Sequence, residues 1–310
     1  MMPTTNFETL IKLNEHFADE ATCRAHLASL RWGQDGIPCC PFCGTVGAYS
    51  IEAGKRYKCS SKECGKKFSV TVGTIFENTK LPLSVWFAAI YLTANSSKGV
   101  SSLQLHRNLG ITQKTAWFLL CRIREMLKEF EPVMLTGTVE IDEAYIGGAE
   151  KNKHANKRTE GTQGGKGKAA VLGILERGGR VVVRPIADSK QTTIQPVMRA
   201  HVAIGTTINT DEHLAYRGLS RTYAHQTVKH AAGEYVKGNA HTNGIENFWS
   251  LLKRGINGIY HQVSPKHLHR YCNEYAFRFN ERQVCQQDKF NIAVFNADGR
   301  RLTYRALIGK

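Results

Sequence analysis

Five of the nine cysteines of this chain, Cys39, Cys40, Cys43, Cys59 and Cys64, fall inside one 26-residue span. The stretch "CCPFCGTVGAYSIEAGKRYKCSSKECGKK" is rich in Gly and Lys and offers few apolar side chains, so cysteines alone would leave it little to fold around. Cys40 and Cys43 form a C-x2-C pair; Cys59 and Cys64 form a second pair after fifteen intervening residues. Between them "AYSIEAGKRYKC" alternates as a hairpin does. Four thiolates on two turn-forming loops meet the tetrahedral demand of zinc. The pattern predicts a zinc ribbon over residues 37–79, with Zn²⁺ on Cys40, Cys43, Cys59 and Cys64 in a structural role, since no open ligand position is evident. Cys39 is the alternative first ligand, although Cys40 directly precedes Pro41 and gives the tighter spacing. The scattered Cys23, Cys121, Cys272 and Cys285 read as core or surface thiols.

With 310 residues and 42% hydrophobic content, the chain is long enough for two or three folded units. Its formal net charge is +16, with Lys and Arg spread from end to end. That balance suits a polyanion partner, because each neutralised phosphate releases condensed counterions. No apolar run approaches the roughly 20 residues needed to cross a bilayer, so no membrane role is expected. The opening "MMPTTNFETLIKLNEHF" has neither an apolar core nor a basic flank, which predicts no secretory signal and a cytoplasmic location. That compartment in turn argues against a disulfide framework.

Residues 1–36 read as a helical segment, with Phe7, Leu10, Leu13 and Phe17 in phase. From 80 to 132 the pattern is helical again, and a break at Gly110 and Ile111 separates "SSLQLHRNL" from "TQKTAWFLLCRIREMLKEF". With Thr112 as N-cap this matches a helix-turn-helix, placing Gln113, Lys114 and Thr115 where base edges are read. An ordinary helical packing unit with Trp117, Leu120, Ile123 and Leu127 as core is the plainer alternative. Beyond Pro132 the period changes to that of strands: "TVEIDEAYIGG", then two strands around Gly178-Gly179, then a helix and a strand from Thr206 to Asn209. Helices follow over "HTNGIENFWSLLKRG" and from about Pro265 to Arg282, so the pattern predicts an α/β sheet with helices laid against it. Between the first two strands six Lys or Arg face one acid, Glu160, in a loop that reads either as a solvated charge run or as a phosphate-contacting arm.

Asp142 stands inside an apolar strand, and Asp211 directly follows a later one. A carboxylate there is costly unless a cation or partner offsets it. Glu246 lies on a helix whose apolar stripe, Ile245, Phe248, Leu252 and Ile256, would dock on the same sheet. Three converging carboxylates supply the oxygen ligands that Mg²⁺ or Mn²⁺ prefers, and two such ions suit in-line phosphoryl displacement. Glu140, Glu143, Asp188 and Glu212 read as second-rank or solvated acids. His230 and His241 read as DNA contacts, ligand-orienting groups or packed histidines.

Together "CPFCG", "CSSKECGKKFSVTVGTIF", "VEIDEAYIGG", "INTDEHLAY" and "HTNGIENFWSLLKRG" resemble the bacterial insertion-sequence transposases of the DDE type that carry an N-terminal zinc ribbon, relatives of Merlin transposons. The likeness runs from about Phe17 to Arg282. It implies a ribonuclease H-like catalytic domain over 133–285, followed by a C-terminal tail over 286–310. It also implies Asp142, Asp211 and Glu246 as catalytic magnesium ligands, with Asn243 as the alternative third residue because this group varies between Glu and Asn. Lys253 and Arg254 would contact DNA. The expected activity is binding of inverted-repeat ends, cleavage by water activated at the metal, and attack of the freed 3′-hydroxyl on target DNA. The expected assembly is a homodimer or higher oligomer in a synaptic complex, in the cytoplasm at the bacterial nucleoid. A sequence-specific DNA-binding regulator and a structure-selective nuclease of the same fold are the competing expectations.

Overall fold

The computed structural model describes residues 7–33, 35–129, 134–148, 167–228 and 241–309. The basic stretch from Lys151 to Lys166 and His230 lie outside the described residues. The elements are α1 (Leu10–His16), α2 (Glu20–Trp32), β1 (Tyr49–Ile51), β2 (Arg56–Lys58), β3 (Lys67–Phe68), α3 (Leu83–Asn95), α4 (Ser102–Leu109), α5 (Gln113–Met126) and β4 (Thr138–Ile146). They continue with β5 (Ala169–Glu176), β6 (Val181–Ile186), α6 (Gln191–Arg199), β7 (Thr207–Thr210), β8 (Ala224–Thr227), α7 (Asn243–Gly255), α8 (Leu268–Asn280), α9 (Gln286–Phe295) and α10 (Tyr304–Ile308). Two compact units result: residues 1–128 with 283–310, and residues 129–282.

The first unit is built around α3. That helix is apolar on nearly every side, so it can only be central: Trp86, Phe87, Ala89, Ile90 and Ala94 are all buried. Phe87 meets Phe17 and Phe290 edge-on at ring distances of 4.8 and 5.3 Å. Phe290 belongs to α9, so the stretch expected as a C-terminal tail is two helices belonging to this unit. The ribbon strands form an antiparallel sheet in the order β1-β2-β3. Tyr57 and Phe68 pack there against Trp32 at the end of α2.

Helices α4 and α5 meet across Gly110, which takes the left-handed backbone at φ 66°. The Thr112 hydroxyl then caps α5 by accepting from the Thr115 amide at 3.2 Å. The buried face of α5 runs through Ala116, Leu119, Leu120, Ile123 and Met126. Trp117, expected in that core, is only half-buried, because its position falls one step off this i, i+3, i+4 phase. Arg122 is buried on another side of α5, donating to the carbonyls of Ile75 and Glu77 with its guanidinium 4.8 Å over the Trp86 ring.

The second unit is a five-stranded mixed sheet in the order β6-β5-β4-β7-β8. β4, β5 and β6 pair antiparallel, whereas β7 runs parallel to β4 and β8 parallel to β7. Alternation divides the sheet's side chains between two cores. Val139, Ile141, Leu172, Ile174, Val182 and Ile208 face Ile194 and Met198 of α6. Ala144, Val171, Leu175, Val181 and Val183 face α7 and α8. The helix expected from Pro265 to Arg282 begins at Leu268 after a single 3₁₀ turn and ends at Asn280.

In the first unit His26 is 6% exposed and its Nε2 pairs with Asn291 Oδ1 at 3.0 Å. Burial pushes its pKa down to about 4 from 6.5, the Asn291 bond opposing the shift. The folded unit therefore binds fewer protons than the unfolded chain between those values, and its stability falls as pH drops through that window. The full effect is on the order of 3 kcal/mol. Urea titrations at pH 7 and pH 4.5, followed by tryptophan emission, should show this loss. A His26→Gln chain, weaker at pH 7, should show a smaller difference between the two.

Candidate active site and zinc centre

The four cysteines predicted as ligands come together. The sulfurs of Cys40, Cys43, Cys59 and Cys64 lie within 4.8 Å of one another, with Cys40–Cys64 at 3.8 Å and Cys43–Cys59 at 3.5 Å. Zinc–sulfur bonds of about 2.3 Å in a tetrahedron set the sulfurs roughly 3.8 Å apart, so the cage fits Zn²⁺ without rearrangement. Gly44 and Gly65, each directly after the second cysteine of its pair, adopt positive φ (76° and 53°) and let the chain fold back over the sulfur. Their amides donate to the carbonyls of Cys40 and Ser61, both at 2.9 Å. Cys39, the alternative ligand, points elsewhere and bonds the Gly44 carbonyl at 3.4 Å.

A second cluster forms where β4 and β7 part. The parallel pairing covers only Thr138, Val139 and Glu140 on β4, and beyond it the edge of β4 facing β7 is open. Asp211, immediately after β7, lies at that edge, and ligand oxygens of Asp142, Glu143 and Asp211 fall within 4.8 Å of one another. This crevice, at the carboxyl ends of two parallel strands, is where open α/β sheets place their ligands. Asp142 is pushed up to about 6, first by burial and further by the charges of Asp211 and Glu246; the Trp249 bond pulls the other way. Glu143 is pushed up to about 8, again mainly by burial, with the Asp211 and Asp142 charges adding to it. Each raised value means that a cation-free site loses stability as pH rises through it, a cost that a divalent cation offsets. Glu143 Oε1 and the Tyr216 hydroxyl are buried with no bond in full hydrogen-bond geometry, although the hydroxyl is near enough to draw the Glu143 pKa down. An all-oxygen crevice with unmet acceptors is chemically suited to Mg²⁺ or Mn²⁺.

Helix α7 delivers the remaining predicted residues. Ile245, Phe248, Trp249 and Leu252 pack on β4 and β5. The helix start is held from the sheet: Glu140, 1% exposed, accepts from the Ile245 amide at 3.0 Å through Oε2, satisfying a donor that no intrahelical carbonyl reaches. Its Oε1 takes Arg177 at 3.0 Å and His241 Nδ1 at 3.2 Å. A Cβ on Gly244 would come within 2.8 Å of Glu140 Oε2, so the approach requires glycine there. Trp249 Nε1 donates to Asp142 Oδ2 at 3.0 Å. Its ring occupies the space left by Gly173, which pairs opposite Asp142 and whose Cβ would lie 2.5 Å from Trp249 Cζ2.

Glu246 is exposed on the first turn of α7, outside the tight cluster; its Oε1 accepts from the Thr242 hydroxyl at 3.0 Å, and its charge is felt by Asp142. Asn243 is exposed one turn earlier. Lys253 and Arg254 are exposed on the last turn, Arg254 tied to Ser250 at 2.6 Å. In the first unit Gln113 bonds Ser102 at 3.0 Å, Lys114 sits 5.4 Å over the Tyr304 ring, and Thr115 pairs with Thr112. Sequence reasoning missed Trp249, Arg177, Tyr216 and Gly173. An indole nitrogen on an otherwise apolar helix stripe was the available signal for the first; no sequence signal pointed to the others.

Two outcomes follow from these geometries. Stripping zinc with a chelator should expose the amides that pair β2 with β3 around Tyr57 and Phe68 to rapid hydrogen exchange, with β4 and β5 still protected. Gly173→Ala should force the Trp249 ring and its helix outward, destabilising the second unit by about 1–3 kcal/mol in urea unfolding.

The chain is similar to known families on both counts. Residues 18–67 match a transposase zinc-ribbon domain, and residues 134–280 match an ISXO2-like transposase domain. A relative, described as an uncharacterized protein in transposable element ISH50 of Halobacterium salinarum, is 28% identical over 276 residues, covering 84% of this chain and 91% of that protein. A DDE-type transposase domain carries a ribonuclease H-like fold with it, in keeping with the mixed α/β sheet. No helix among the described residues is long and apolar enough to cross a membrane. The zinc-ribbon match and the four-sulfur cage together identify Zn²⁺ as the metal of the first unit, and the chain belongs to the insertion-sequence transposases of the DDE type that carry an N-terminal zinc ribbon.

Proposed function

We propose that the protein binds the inverted-repeat ends of an insertion sequence and catalyses divalent-metal-dependent strand cleavage and strand transfer, with Asp142, Asp211 and Glu246 as the catalytic acids. The observation that carries this reading is the meeting of Asp142 and Asp211 at the open edge of β4, in a domain matched to transposases, with the charge of Glu246 reaching Asp142 from the start of α7. The chemistry that Mg²⁺ or Mn²⁺ supplies at such acids is neutralisation of phosphate charge and easier ionisation of water.

The chain's own groups prepare that chemistry. Trp249 fixes one oxygen of Asp142, holding the carboxyl group beside Asp211. Glu140 holds the first turn of α7 and so sets where Glu246 and Asn243 stand. Lys253 and Arg254, exposed on the same helix, take the phosphates flanking the scissile bond. Water attacks the scissile phosphorus and the strand's 3′-oxygen leaves. That 3′-hydroxyl then attacks a phosphorus of target DNA, displacing a second 3′-oxygen without a protein-bound intermediate. In the first unit, α4 and α5 act as a helix-turn-helix, with Gln113, Lys114 and Thr115 toward the bases and the ribbon beside them on the backbone. Pairing of two ends requires two copies of the chain or more.

The test is cleavage and joining of the element's terminal DNA in Mg²⁺ by purified protein. Wild type should join ends, Asp142→Ala and Glu246→Gln should each lower the rate at least 100-fold, and Asn243→Ala should leave it within a few-fold. Loss with Asn243→Ala and survival with Glu246→Gln would move the third ligand back one turn. Tight, sequence-specific binding with no cleavage by the wild type would overturn the catalytic reading in favour of a regulator.

A further inference from the structure

Glu143 has no role in the three-acid scheme, yet its setting is more demanding than that of Glu246. Its side chain is 6% exposed, and Oε1 has no partner in full hydrogen-bond geometry; His213 Nδ1 stands 3.9 Å away, beyond hydrogen-bonding distance, and accepts from the Ala215 amide. Tyr216, 1% exposed, turns its hydroxyl toward the same carboxyl group, near enough to draw the glutamate's pKa down as a loose hydrogen bond but outside full hydrogen-bond geometry. Buried acceptors left unmet in this way are expensive, and a cation is the simplest group that satisfies a carboxylate oxygen without a donor.

Topology explains how Glu143 can share a ligand with its neighbour. Consecutive strand residues point to opposite faces, so within a continuous sheet Asp142 and Glu143 could not approach one point. Here β7 stops pairing at Glu140, and Asp142 and Glu143 stand on opposite sides of an open edge at which Asp211 also lies. Asp142 comes from the α7 face, where Trp249 holds it, and Glu143 from the face where Tyr216 packs. Carboxylates arriving from both faces and from the sheet edge surround a common point more fully than three acids on one face. Such an arrangement suits the octahedral preference of Mg²⁺ and Mn²⁺.

We infer that Glu143 is itself a metal ligand, holding a divalent cation together with Asp142 and Asp211 at the open edge of β4. This rests on the metal-dependent reading above, and it makes the centre one carboxylate richer than the three-acid scheme. A glutamate directly after the first catalytic aspartate then serves as a working part of the site.

Mn²⁺ binding by the full, zinc-loaded chain tests this without DNA, read from the electron paramagnetic resonance signal of free Mn²⁺. Glu143→Gln should weaken binding at least tenfold, and Glu143→Asp, with the charge kept but the reach shortened, should fall between it and wild type. Tyr216→Phe, which leaves every carboxylate in place, should bind as wild type. Wild-type affinity in Glu143→Gln, alongside lost binding in Asp142→Asn, would overturn the assignment of Glu143 and leave the metal site standing. A loss in Tyr216→Phe as large as in Glu143→Gln would show packing to be the cause and overturn it equally. If circular dichroism shows Glu143→Gln unfolded, Glu143→Asp decides alone, and unchanged affinity there counts against the inference. No Mn²⁺ bound by the wild type would overturn the metal reading itself, and this inference with it.

Discussion

Much of the second unit hangs on one buried carboxylate, Glu140. An acid at 1% exposure is tolerable only if its charge is met, and the Ile245 amide and Arg177 meet it. In doing so it joins β4 to the first turn of α7 across more than a hundred residues of sequence. Asp142 lies two residues further along the same face of the same strand, so the anchor of the helix and the acid held by Trp249 share one register. A slip of one residue in β4 would lose both together. Gly244 and Gly173 are the steric counterparts of this bond, one admitting the carboxylate and the other admitting the indole that orients Asp142.

The crevice at the end of β7 works against the stability that this anchor provides. Three acids gathered in a half-buried notch repel one another and lose solvation, which is why two of them hold their protons to unusually high pH. The surrounding sheet tolerates that strain because its two cores, one under α6 and one under α7 and α8, are continuous and apolar. Rigid scaffolding around an uncomfortable charge cluster is compatible with a site that takes a divalent cation.

Different parts of this arrangement were legible in the sequence for different reasons. The zinc cage is a local structure, so spacing alone located its four ligands, and the Pro after Cys40 favoured it over Cys39. Asp142 and Asp211 announced themselves as charges set in or against apolar strands. The β5–β6 hairpin was marked by Gly178-Gly179. By contrast β8 is a short, largely exposed edge strand, "AHQT", and offers no alternation to read. The place of Glu143 depends on where β7 stops pairing, and the bond from Glu140 to Ile245 on a contact between distant elements; neither fact is written in any window of sequence. Helix α9 was legible from its apolar spacing, since Phe290, Ala293 and Val294 recur at helical intervals and are all buried.

Helix α9 has a bearing on the order in which the two units can be completed. Phe290 closes the aromatic cluster of Phe7, Phe17 and Phe87, and Asn291 satisfies the buried His26. All of these partners are synthesised before residue 129, whereas α9 leaves the ribosome only after the entire catalytic unit. During translation the Phe290 and Asn291 contacts of the helical unit therefore form only after residues 129–282 have been synthesised. A nascent chain that stops short of residue 286 carries Asp142, Asp211 and Glu246 without a completed helical unit, so full assembly of that unit reports that residues 129–282 have already been made.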